Sequence, residues 1–110
     1  MRASSEITLA ALPTAVLCAR LFARYTLTEW GVPWVAAESA VADLVTDTVE
    51  QTGIAGPTPK WTRLTDLSLL HVRLLLVPDG LLVEVRGRSS HRPGFLRQRL
   101  IELHTINLEH

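Results

Sequence analysis

The hydrophobic positions of this chain recur at two spacings, and each spacing predicts a different kind of element. Between Thr14 and Trp30, apolar residues recur every three or four positions, which is typical of an amphipathic helix. A second helix is predicted from Pro33 to about Thr52, where Gly53 is a stop signal. Its apolar stripe consists of Ala37, Val41, Leu44, Val45 and Thr48.

Two apolar runs, residues 69–77 and 81–86, flank the turn Pro78-Asp79-Gly80 and predict a β-hairpin. Proline presets the first corner of such a turn, and glycine suits its left-handed position. The register that this turn sets places Arg73 opposite Glu84 on one face and apolar residues opposite each other on the other. The hairpin therefore has one face suited to a core.

The remaining segments predict the outline of the fold. Residues 6–12 are compatible with an edge strand, 53–64 form a loop anchored by Trp61, and 88–94 form a second loop. The spacing in 95–103 predicts a short amphipathic helix, with a strand as the alternative. We therefore expect an α+β two-layer sandwich, with two helices on one face of a small, mainly antiparallel sheet.

Composition limits the classes of protein that fit this chain. Its 110 residues, 47% of them hydrophobic, suit one domain with its own core, and its formal net charge of zero gives no general attraction to nucleic acid or membrane. A single cysteine, Cys18, fits a reducing compartment. Without an apolar run of about 18 residues or a secretory signal, we expect a cytoplasmic location. We interpret residues 1–107 as the domain and 108–110 as a tag remnant.

Several segments match a known family in order and spacing. They are Leu12-Pro13-Thr14-Ala15-Val16, Trp30-Gly31-Val32-Pro33, Asp43-Leu44-Val45-Thr46-Asp47, and Val83-Glu84-Val85. Together they resemble the small histidine-kinase-like ATPase domains of actinobacteria, which are similar to anti-sigma-factor serine kinases and belong to the GHKL superfamily. The resemblance spans about residues 12–93. It implies a partial Bergerat-like ATPase fold, truncated after the hairpin.

The resemblance also implies a degenerate nucleotide site. In the family, the second helix carries a glutamate base and, four residues later, an asparagine that helps to hold magnesium. Asp43 and Asp47 stand at these positions, so two carboxylates would face an anionic triphosphate. The family's adenine-binding aspartate is replaced by Gly87, and its glycine-rich lid is absent. We therefore expect no cofactor. Mg-ATP is expected only if the altered nucleotide site still functions.

The residues themselves leave less specific readings open. Asp43, Asp47 and Glu50 share one helical face, which could be a residual magnesium or phosphate site but is more simply a solvated acidic face. Arginines between positions 86 and 99 could bind phosphate or an acidic helix, and more often form a soluble surface. The histidines lack zinc-site spacing.

Three functional hypotheses follow. The first is a non-catalytic regulatory module that acts through protein contacts, with a sigma factor or regulator as the partner that the resemblance implies. The alternative is an active ATP-binding, serine kinase-like anti-sigma regulator with altered site residues. The third is a fragment of a protein that continues past Asn107. If the family's later strands are missing, a sheet edge stays open, which predicts that the C-terminal segment or a second copy covers it and motivates a homodimer.

Overall fold

The computed structural model of the chain describes residues 3–52, 68–89 and 92–102. Two helices and four strands are formed within these residues, in the order β1 (Ala3–Ala10), α1 (Thr14–Glu29), α2 (Val35–Thr52), β2 (Leu69–Val77), β3 (Gly80–Ser89) and β4 (Arg92–Glu102). The sheet order is β1-β2-β3-β4, and each neighbouring pair is antiparallel. The predicted α+β fold, with two helices on a small antiparallel sheet, is confirmed.

Each helix faces the core with one stripe of its residues. In α1 the buried positions include Ala15, Ala19 and Ala23, each four residues from the next, followed by Leu27. Because alanine side chains are short, this stripe lets the helix approach its neighbours closely. All five residues of the predicted α2 stripe are buried as well. Trp30 and Trp34 lie half-buried against this core.

The central hairpin has the predicted register. Gly80 pairs with Val77, and Arg73 pairs with Glu84. On the opposite face, alternate residues of β2 and β3 are completely buried under the helices, because successive side chains of a strand point to opposite faces. These residues are Leu70, Val72, Leu74, Leu81, Val83 and Val85.

The predicted C-terminal helix is wrong. Residues 95–102 belong to β4, which pairs with β3 along most of its length, for example Ile101 with Leu81. This pairing satisfies backbone groups that an open β3 edge would expose. The loop expected at 88–94 is also wrong where the structure describes it, since Arg88 and Ser89 extend β3 and residue 92 begins β4.

The N-terminal edge strand is confirmed with shifted bounds. It covers Ala3–Ala10 and pairs with β2, with Ile7 opposite Val72. The predicted loop at 53–64 and its anchor Trp61 lie outside the described residues. Within the part of the chain that the structure describes, no helix combines the length and the hydrophobicity needed to span a bilayer.

Candidate functional site

The two aspartates of the candidate site lie on the exposed side of α2. Asp43 and Asp47 are one helical turn apart, and both are solvent-exposed, whereas Leu44, Val45 and Thr48 of the same helix are buried. The predicted common orientation of the two carboxylates is therefore found. Within the described residues, no group of three or more histidine, cysteine or acidic side chains is placed to hold a metal ion.

Strand β4 brings a positive charge to this acidic face. Arg99 Nη1 lies 3.7 Å from Asp43 Oδ2, and the two side chains are 48% and 66% exposed. A solvent-exposed pair of this kind contributes at most about 1 kcal/mol to stability. Its larger effect is local, because it offsets part of the negative charge that the two aspartates would present to a phosphate.

Gly87 lies inside the sheet. It is buried on β3, with Leu70 of β2 on one side and Phe95 of β4 on the other as its paired residues. It follows Val83 and Val85 at alternate positions, so it belongs to the sheet face that α2 covers. A glycine at this place offers no side-chain acceptor to a ligand on that face.

A charged cluster that the sequence did not predict joins the two helices. Glu38 of α2 is only 6% exposed, yet it receives hydrogen bonds from two arginines of α1. Arg20 Nε donates to Glu38 Oε2 at 3.0 Å, and Arg24 Nη2 donates to both carboxylate oxygens at 3.0 and 3.1 Å. The Arg24 guanidinium also lies 4.5 Å from the centre of the Trp34 ring.

This cluster determines the ionisation of Glu38. Burial by itself would raise the pKa of Glu38, but the hydrogen bonds and positive charges of Arg24 and Arg20 outweigh it and hold that pKa below its usual value. Glu38 is therefore ionised at neutral pH. Because two arginines of α1 bind one buried carboxylate of α2, we interpret the cluster as a structural link between the helices.

Polar side chains also cross the outer face of the sheet. His71 lies on this face: its Nδ1 is 2.8 Å from Thr8 Oγ1, and its Nε2 contacts the Glu6 carboxylate. Two residues further along β2, on the same face, Arg73 Nε donates to Glu84 Oε1 at 2.9 Å. These contacts tie β1, β2 and β3 together on the side that the helices leave open.

The outer face of α1 carries large apolar side chains in contact with solvent. Leu17, Leu21 and Tyr25 are 59%, 52% and 68% exposed and recur every four residues. We call these three residues the α1 stripe. Cys18 is exposed beside it. The periodicity that predicts the helix also contains this second stripe, so helical spacing alone does not show which apolar side faces the core.

Comparison with known proteins adds no identification. No protein-family model matches the chain, and no curated protein or solved structure matches it. The resemblance to histidine-kinase-like ATPase domains therefore stays a prediction.

Proposed function

We propose that this chain is a non-catalytic regulatory module that acts in the cytoplasm through contacts with other proteins. The observation that carries the proposal is the α1 stripe, in which three large apolar side chains are more than half exposed on one helix face. Adjacent exposed apolar side chains of this kind often mark a protein interaction site. The resemblance to anti-sigma-factor kinases suggests a sigma factor or regulator as a natural partner.

The residues at the candidate nucleotide positions support a role without catalysis. Gly87 has no group that could accept a hydrogen bond from a base, and Asp43 already lies beside Arg99. Specific recognition of a ligand requires polar groups placed at its own donors and acceptors. The functional surface is then the outside of the domain and not a pocket between helix and sheet.

A second copy of the chain is the partner that can be tested first. The α1 stripe extends over about 12 Å of helix, because each residue advances the helix by about 1.5 Å. Two such stripes related by a twofold axis would bury each other's leucines, which is the self-complementary arrangement of most homodimers. Among the described strands, β1 and β4 each pair with a single neighbour, so their outer edges offer further surface for the same association.

The homodimer can be tested by light scattering on size-exclusion fractions at about 100 µM protein. This concentration is a hundred times a dimer dissociation constant of about 1 µM, so such a dimer would be the main species. We expect a dimer for the wild type and a monomer for Leu21→Glu, which places a charge at the centre of the stripe. Ser39→Glu adds the same charge at an exposed position of α2 and should remain dimeric. A monomeric wild type would contradict the homodimer.

One observation favours the alternative of an ATP-binding regulator. Asp43 and Asp47 keep the spacing of a magnesium-binding helix, and Arg99 reduces the negative charge that a triphosphate would meet. Calorimetric titration with Mg-ATP separates the two proposals. Micromolar binding that Asp47→Ala abolishes and Ser39→Ala preserves would establish the alternative and overturn the non-catalytic role. Absence of heat up to about 1 mM nucleotide, equivalent to a binding free energy weaker than about −4 kcal/mol, would remove the alternative.

A further inference from the structure

An open cavity of about 630 Å³ lies where two turns of the chain meet. One is the connection between α1 and α2, which contributes Gly31, Val32 and Pro33, and the other is the turn between β2 and β3. Gly80 in this cavity begins β3, whereas Gly87 lies near the other end of that strand. Seven residues of strand span about 23 Å, so the cavity is separate from Gly87, and neither Asp43 nor Asp47 lines it.

Apolar and polar atoms contribute about equally to the walls of this cavity. The apolar part is formed by Val32, Pro33, Leu76, Val77, Pro78 and Leu100. Small-molecule sites typically have volumes of about 300–1,000 Å³ and combine apolar walls with a few polar groups. The cavity therefore has the size and lining of a site for the apolar part of a small ligand.

The charged groups of the cavity are both acidic. Asp79 and Glu102 line it, and no described arginine does. Glu102 has an interaction within the chain, so the charge argument depends on Asp79, which is exposed at the tip of the turn. Pro33 and Pro78 lack a backbone N–H and cannot donate a hydrogen bond to an anion. Both properties favour a positively charged ligand.

The backbone around the cavity limits how it can change shape. A side chain at Gly80 would collide with the carbonyl group of Ile101, so the β2–β3 turn and β4 are in close contact. At Gly31, in contrast, no atom lies within 4 Å of the position that a Cβ would occupy. The cavity thus has one closely packed side and one side with room for a ligand to enter.

We propose that this cavity binds a small organic cation with an apolar body, such as an arylalkylammonium ion. The apolar part packs on the walls, and the ammonium group lies near the Asp79 carboxylate. Contacts between the apolar part of the ligand and the aliphatic walls provide most of the affinity, while the carboxylate selects for positive charge. This binding activity goes beyond the proposed regulatory role and does not depend on it.

The proposal can be tested by NMR titration of the ¹⁵N-labelled protein with 2-phenylethylammonium. We expect saturable shifts of the Gly31, Val32 and Gly80 amide signals. Phenylacetate has a ring of the same size and the opposite charge, and it should bind at least about fivefold more weakly. Shifts that do not saturate at ligand concentrations up to about 20 mM would overturn the proposal, because a specific site would be filled at lower concentrations.

Variants test the role of the carboxylate. Asp79→Asn should weaken 2-phenylethylammonium binding about three- to fivefold, as expected for loss of one partly exposed ionic contact. Glu29→Gln removes the same charge from the exposed end of α1, outside the cavity, and should bind like the wild type. Equal affinity for the two probes, or unchanged affinity in Asp79→Asn, would contradict the assignment. The outcome is independent of whether the chain dimerises.

Discussion

Two glycines with positive φ should respond very differently to the same added methyl group. Gly31 has φ +70° and Gly80 has φ +151°, so both adopt backbone conformations that alanine disfavours. At Gly31 the added Cβ would meet no atom within 4 Å. At Gly80 it would overlap the Ile101 carbonyl oxygen and lie 3.1 Å from Glu102 Cα. Gly80→Ala therefore adds a steric clash to the same kind of backbone strain.

The size of the difference follows from these contacts. A non-glycine residue in left-handed backbone costs about 1–2 kcal/mol, and we expect this loss for Gly31→Ala. For Gly80→Ala we add about 1–3 kcal/mol, because backbone atoms of β4 must move to make room for the methyl group. The expected total is about 4 kcal/mol. That is a large share of the roughly 5–15 kcal/mol by which folded domains are stable.

Urea unfolding followed by circular dichroism measures both variants directly. We expect Gly80→Ala to be less stable than Gly31→Ala by about 2 kcal/mol, with a melting temperature lower by about 10 °C. Equal losses in the two variants would refute the reasoning, since the clash with β4 would then contribute nothing. A Gly80→Ala variant as stable as the wild type would show that the β3–β4 pairing at this end is not as described.

Three further predictions test the core, the helix link and the outer face. Leu74→Ala removes a fully buried side chain and should cost about 2–5 kcal/mol in urea unfolding, whereas Val35→Ala, at a side chain that is 70% exposed, should stay within about 0.5 kcal/mol. The depressed pKa of Glu38 means that its ionised form stabilises the fold above about pH 4 and that this contribution is lost as the pH falls through the lowered value. Glu38→Gln should therefore be less stable than the wild type at pH 7, and the two unfolding curves should converge in acid; a constant difference across pH would refute this. Arg73→Gln breaks a partly exposed pair with Glu84 and should cost about 1 kcal/mol, a loss that shrinks in 1 M salt; a larger, salt-independent loss would contradict it.

The elements predicted well from sequence are those whose pattern and packing agree. In the central hairpin, the turn residues and the alternation both specify the same register. Strand β4 was predicted as a helix because Leu96 and Leu100 are four residues apart, although both lie on the open face of the sheet. Arg97 and Arg99 occupy the face toward the helices. In β4, therefore, leucines lie on the open face and arginines on the face toward the helices. Pairing with β3 holds this segment as a strand despite that pattern, and such pairing cannot be deduced from local spacing.

The candidate site likewise has one part that follows from the sequence and another that depends on tertiary contacts. That Asp43 and Asp47 share one helix face follows from the helical repeat alone. The approach of Arg99 depends on β4, which local spacing does not reveal. The Glu38 cluster depends on how α1 crosses α2, although Arg20 and Arg24 were visibly one turn apart. Interactions between elements distant in sequence are therefore the part that single-sequence reasoning misses.

The position of β1 at the edge of the sheet has a consequence for how the chain folds. Strands β2, β3 and β4 follow one another directly, so their pairing closes short loops. β1 reaches β2 only after both helices have been placed, which makes its docking the most nonlocal step. A strand joined this way can leave its own sheet while the rest stays intact. The vacated edge of β2 could then accept β1 from another molecule, so exchange of the N-terminal strand is the form of domain swapping to which this topology is most susceptible.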